Sequence, residues 1–186
     1  MAGCFGLGMI PTGSADPYAL RRCALGIARI IGEHGLALDV GNVFAKAQSL
    51  YGEITWKLSP AEAHAKLLEF FSVRLKNQMA GMGYDTLLVE AVLASDSRDV
   101  RAAFARVQAM KDFSEQADFA QTAMTFQRVA NIVRKQEQEE GVVYAGAYDK
   151  SLLAEDAERT LAEALEAFTN DFDALWEQGK YGELLH

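Results

Sequence analysis

The stretch SPAEAHAKLLEFFSVRLKNQM, residues 59–79, decides the fold class. Ser59-Pro60-Ala61-Glu62 has the form of a capping box with proline at the first helical position. In that arrangement the serine oxygen and the glutamate carboxylate each satisfy an orphan backbone N–H, and proline lacks the N–H that would otherwise go unpaired. Leu67, Phe70, Phe71 and Leu75 then recur at three- and four-residue steps, which puts them on one face of a long helix running to about Met79. Gly81-Met82-Gly83 supplies the break after it.

The same grammar continues in both directions. Upstream, Asp39 caps a helix with Val40, Val43, Phe44, Ala47, Leu50 and Tyr51 on one side and Gly52 at its stop. Before that, Asp16 as N-cap and Pro17 at the first helical position open a helix whose Leu20, Cys23, Ala24, Ile27, Ile30 and Ile31 share a face, closed by Gly35. Downstream, Asp85 starts a short helix with Leu88, Ala91 and Val92, and Asp96 or Ser97 starts another with Val100, Ala103, Phe104 and Val107 inward. Ser114 caps a longer helix with the apolar stripe Phe119, Ala123, Phe126, Ala130 and Val133. The loop GVVYAGAYDK, residues 141–150, packs over a helix end, and a last long helix runs from about Ala154 to Trp176. The expected fold is all-α, a multi-helix bundle with little or no sheet.

Composition agrees. Only three prolines interrupt 186 residues, half of them apolar, which is enough for one sizeable core. No apolar run approaches the ~20 residues that cross a bilayer. Two cysteines without ligand spacing, Cys4 and Cys23, and a start without a basic n-region fit a reducing, cytoplasmic setting. The net charge of −8 argues against a nucleic-acid partner, but its distribution is uneven: +1 over residues 1–60, −2 over 61–140 and −7 over 141–186. Residues 98–135 carry a local +3, a candidate basic face.

No catalytic constellation is legible. GCFGLGM, residues 3–9, is G-x-x-G-x-G rather than G-x-G-x-x-G, with no strand pattern before it, so a nucleotide-binding loop is not expected. His34, His64 and His186 lie far apart and form no metal cage; His34 beside Gly35 reads as a charge at a helix C-terminus, and His64 as solvated. Catalytic and metal-binding residues are therefore both expected to be none. FQRVANIVRK, residues 126–135, has two readings. In one, Phe126, Ala130 and Val133 face a core while Arg128, Asn131, Arg134 and Lys135 meet water. In the other, those four polar residues grip phosphates and read a base edge or ribose.

PTGSADPYALRRCALGIARII, residues 11–31, closely resembles the P-T-G-S-x-D-P-[FY]-A-L-R-R-x-A-L-G stretch of bacterial glycyl-tRNA synthetase β subunits. The likeness continues through LEFFSVRLKNQMAGMGYDTLLVEAVLAS, residues 68–95, and FQRVANIVRK, where Gln127 stands in place of the common lysine. It covers nearly the whole chain and implies the C-terminal part of a longer subunit, stopping before that subunit ends. The resemblance implies the tail of an HD-like domain with linker helices over residues 1–58, and a helical anticodon-binding domain of the DALR type, cut short at its C-terminus, over 59–186. No His-Asp pair of HD chemistry falls in this chain.

The family is a heterotetrameric, ATP-dependent ligase whose α subunit carries the aminoacylation site. The resemblance therefore implies tRNA-Gly, the α subunit and the rest of the β subunit as partners, with no membrane. It implies no cofactor in this part, ATP being used by α. It also turns the reading of residues 126–135 toward RNA: Arg128, Asn131, Arg134 and Lys135 are the expected tRNA contacts, with Arg74 and Lys76 on the neighbouring long helix as secondary candidates. The alternative is a helical protein–protein scaffold without RNA contact, in which apolar ends and the acidic tail serve as docking surfaces.

Overall fold

A computed structural model describes residues 1–144 and 148–185. Among the described residues there are eight α-helices: α1 (Ala2–Gly6), α2 (Leu20–His34), α3 (Val40–Ser49), α4 (Pro60–Gly81), α5 (Thr86–Ser95), α6 (Val100–Ser114), α7 (Phe119–Glu140) and α8 (Asp156–Glu177). Short 3-10 turns lie before α8 at Lys150–Leu152 and after it at Glu183–Leu185. Among the described residues there is no strand, only the isolated bridges Thr12↔Ala15 and Asp39↔Asp99. The all-α expectation holds.

The chain separates into two compact units, Met1–Lys111 and Asp112–His186. These units do not follow a boundary at 58/59, because α4 packs on α1, α2 and α3 as well as on α5. In the first unit α4 is the central element. Its capping box forms as expected: Ser59 Oγ accepts from Glu62 N at 3.2 Å and Glu62 Oε2 accepts from Ser59 N at 3.0 Å. Ala63, Leu67, Phe70, Phe71, Leu75 and Met79 all go into the core. Phe70 meets Phe5 edge-on at 5.2 Å, and Phe71 meets Phe44 at 5.6 Å, both in the T-shaped geometry that aromatic quadrupoles favour.

Several local expectations are corrected. Pro17 does not open α2: residues 16–19 form a turn, and the helix starts at Leu20 behind Ala19, which has φ 53°. Asp16 still caps, from further back, its carboxylate accepting from Leu20 N at 2.8 Å and Arg21 N at 3.0 Å. The buried face of α2 is Leu20, Ala24, Ala28 and Ile31, so Cys23 and Ile30 point to solvent. Ser114 ends α6 rather than capping α7, which begins at Phe119. Val43 in α3 and Leu50 just after it are exposed, and in α5 the buried pair is Val89 and Val92.

Arg106 is the one charged side chain buried among the described residues. Its guanidinium donates to Ser95 Oγ at 3.3 Å and to the Asp96 carbonyl at 2.5 Å, tying α6 to the end of α5. A buried charge is tolerated only with such bonds.

The second unit holds α7 and α8. Tyr144 N donates to Glu137 Oε1 at 2.9 Å, and the Tyr144 hydroxyl bonds Glu140, so the loop does fold over the end of α7. On its far side Tyr148 reaches Glu166 of α8 at 3.3 Å and Lys150 pairs with the same carboxylate; Ala145 to Ala147, in the middle of that loop, lie outside the described residues, as does His186. Phe168, Phe172 and Trp176 follow one another at 5.6 Å steps along α8, the first pair tilted and the second stacked, and Trp176 meets Tyr181 edge-on at 5.1 Å.

Candidate nucleic-acid interface

No residue of α7 is buried. Phe126 is 73% exposed and Val133 37%, so the stripe expected to face a core does not. The reason is visible in the helix itself. At roughly 100° per residue, Phe119, Ala123, Phe126, Ala130 and Val133 do form one face, but within unit two that face has no core to enter.

Arg128, Asn131, Arg134 and Lys135 lie in an arc of about 120° beside that stripe, with Arg134 at its border. All four are exposed. Arg134 Nη1 donates to Asn131 Oδ1 at 3.5 Å, and Lys135 lies 3.7 Å from Glu139, one turn on. Arg128 has no hydrogen-bond or ion-pair partner among the described residues. An Asn-Arg pair flanked by two cations offers donors in a geometry suited to phosphate and ribose oxygens. Glu139 partly offsets their charge.

Arg74 and Lys76 fall on α4, in the first unit, and each has contacts within that unit. Lys76 forms an ion pair with Glu90 that joins α4 to α5. Arg74 is half-buried, its guanidinium 3.9 Å from the centroid of the Phe70 ring and its Nη1 3.4 Å from the Phe70 carbonyl. Desolvation holds the Arg74 pKa below its ordinary value, the charge of Arg21 adds to that, and Asp16 opposes it. The six expected contacts therefore divide four and two between the units, and Lys76 is already neutralised.

Nothing in the site resembles a reaction centre. Among the described residues no group of three or more His, Cys, Asp or Glu side chains is placed to hold a metal ion, and no helix is long and apolar enough to cross a membrane. His64, expected in solvent, is half-buried near Gly41 on the flank of α4.

The chain is all-helical over its described residues and carries an exposed cationic face on α7, and sequence comparison places it among aminoacyl-tRNA synthetase subunits. A family model described as glycyl-tRNA synthetase beta subunit matches residues 1–94. The chain belongs to that family. A glycine–tRNA ligase beta subunit from Nitratidesulfovibrio vulgaris (strain DSM 19637 / Miyazaki F) is 60% identical over 99% of this chain and 27% of its own length. Those from Oleidesulfovibrio alaskensis and Geobacter sulfurreducens are 55% and 40% identical, over 99% and 97% of this chain and 26% and 25% of their own. The chain thus spans about a quarter of the length of the curated relatives it matches. The family model's match ends at residue 94, before α7 begins at Phe119.

Proposed function

We propose that this chain is a tRNA-binding part of a glycine–tRNA ligase beta subunit, non-catalytic in itself, supporting ATP-dependent glycylation of tRNA-Gly by a cytoplasmic holoenzyme. The observation that carries the reading is α7: Arg128, Asn131, Arg134 and Lys135 are all exposed on one side of it, and Arg128 has no partner among the described residues. Family membership supports tRNA-Gly and the α subunit as partners. On this reading ATP is used by α and no cofactor is held here.

Because the chain is acidic overall, the binding is salt-sensitive and modest, with the phosphates held by few cations. The test is binding of the chain to tRNA-Gly and to a non-cognate tRNA at low and moderate salt, alongside the triple reversal R128E/R134E/K135E. Salt-sensitive binding lost in the reversal, with unchanged circular dichroism, is expected. Equal binding by both proteins would remove α7 from the interface. Absence of binding at low salt would turn the assignment toward the protein–protein scaffold, which the exposed apolar face of α7 also suits.

A further inference from the structure

The second unit has no buried residue among those described, 112–144 and 148–185. Its charge is as one-sided as its burial. Residues 112–186 carry six lysines and arginines against sixteen aspartates and glutamates, a net charge of −10, beyond the −8 of the whole chain. Seven of those acids lie on α8.

Along α8, Leu161, Leu165, Phe168, Phe172 and Leu175 recur at alternating steps of four and three residues, the spacing of a seam that pairs with another helix. None of the five is buried, and Leu161 is 71% exposed. The aromatic end of the seam is already assembled. Phe168 meets Phe172 at 5.6 Å, Phe172 stacks on Trp176 at 5.6 Å, and Tyr181 closes the row against Trp176 at 5.1 Å. Rings that hold one another in place lose little further freedom when a partner covers them.

Charge decides what can cover this seam. With Trp176 included it occupies an arc of about 100°, and Asp171 and Asp173 stand just beyond its two edges. Both are exposed, and neither has a hydrogen-bond or ion-pair partner among the described residues. By contrast Glu166 is paired with Lys150, Asp156 with Arg159, and Glu158 is committed to the helix cap. Covering the seam takes Asp171 and Asp173 partly out of water, which is unfavourable unless a cation meets each of them. Lysines or arginines beside the apolar stripe of an incoming helix do so, as flanking charges choose the partner of a helix seam. A phosphate backbone is repelled by the same carboxylates, and so is a second α8.

We infer that α8 is a docking face for a cationic amphipathic helix of a protein partner. The partner's apolar stripe covers the seam from Leu161 to Leu175, and its lysines or arginines pair with Asp171 and Asp173. This face is independent of tRNA binding and of the cationic arc of α7, and either can fail without the other.

The test uses the 186-residue chain and two labelled synthetic helical peptides, matched to α8 in length, with identical leucine stripes flanked by lysines in one and by glutamates in the other. Fluorescence anisotropy is followed at low and moderate salt. The lysine peptide is expected to bind at least about tenfold more tightly than the glutamate peptide, with a margin that shrinks as salt rises. L161S/L165S is expected to weaken the lysine peptide about tenfold or more. D171N/D173N is expected to weaken it several-fold and to flatten its salt dependence, whereas E163Q/E177Q, on the far side of α8, leaves it within about twofold. Circular dichroism checks that each variant keeps its helices, and the two aspartate changes and the choice between peptides stand even if the leucine variant does not. Absence of lysine-peptide binding at low salt overturns the docking face. So does equal binding of both peptides, which is apolar adhesion without choice of charge. Equal weakening by D171N/D173N and E163Q/E177Q shows attraction to the net charge of the unit rather than to this face, and the inference fails. A dimer in sedimentation velocity that L161S/L165S dissolves and the lysine peptide does not displace assigns the seam to a second copy and overturns it as well.

Discussion

A Cβ placed on Gly6 would lie 2.3 Å from Cε3 of Trp56, so the indole fills the space that any larger residue at position 6 would need. The carbonyl of Gly6 also accepts from Lys57 N at 2.9 Å and Leu58 N at 3.1 Å. These contacts bring the segment before α4 onto α1, and Tyr51 meets Trp56 edge-on at 5.5 Å over the neighbouring Gly3. Substituting Gly6 by Ala therefore displaces a ring packed against backbone. A loss of about 1–3 kcal/mol is expected, the usual cost of overpacking. Gly26, inside α2 with nothing within 4 Å of its Cβ position, is the contrasting case: Gly26→Ala should gain about 0.5–1 kcal/mol. Urea denaturation of both variants checks the pair, and a stable Gly6→Ala protein would mean that α1 is not held as described.

Ser59→Ala should destabilise the first unit by about 0.5–2 kcal/mol, since its Oγ is the acceptor for Glu62 N. Replacing Glu62 as well should add less than its own single effect, because the two residues bond each other. A double-mutant cycle in urea measures that coupling; strict additivity would contradict the capping box.

The Asp16 carboxyl is desolvated, which raises its pKa, but the N–H bonds from Arg21 and Leu20 and the charges of Arg21 and Arg22 outweigh this and set it below the ordinary value. A depressed carboxyl stabilises the fold above its unfolded value and loses that contribution as pH falls through the folded one. Asp16→Asn should thus lower the melting temperature at neutral pH, with the gap to the parent protein narrowing below about pH 3.8. Parallel melting curves down to pH 2.5 would show that the carboxylate charge is irrelevant to the cap.

Phe126→Glu should leave stability within about 0.5 kcal/mol of the parent, as the ring is 73% exposed. Phe71→Ala, in the core at 1% exposure, should cost about 3–5 kcal/mol. Equal losses in the two variants would show that α7 buries its apolar stripe in solution.

Gln127 lies inside the cationic arc of α7, next to Arg128, and is exposed. Gln127→Lys should tighten tRNA binding slightly and steepen the salt slope by roughly 0.7–0.9, one further phosphate contact. An unchanged slope would place position 127 off the RNA.

How much of this was legible in the sequence depended on whether the determining interaction was local. The cap at Ser59 needs only Glu62 three residues on, and the caps at Asp39 and Asp85 need only the next turn, so each formed where its residue type predicts. The all-α class followed from the same local signals. The family likeness was equally sequence-borne, because it rests on a long string of residues at fixed spacing. The cationic arc of α7 could be drawn from helix periodicity alone.

What periodicity could not supply was the partner for each face. The same spacing that buries Phe70 and Phe71 of α4 leaves Phe126 and Val133 of α7 in solvent, since burial needs neighbouring elements that no window of sequence contains. Pro17 carried a helix-start signal, yet the turn at Asp16 moved the start to Leu20 while keeping the carboxylate on the helix end. That Arg74 and Lys76 belong to one compact unit and Arg128 to the other was likewise decided by tertiary structure. Sequence determined the helices, their caps and the family, all set by residues within a few positions of each other. Only the packing of distant segments decided which helical faces are covered and where Trp56 leaves room for nothing but glycine.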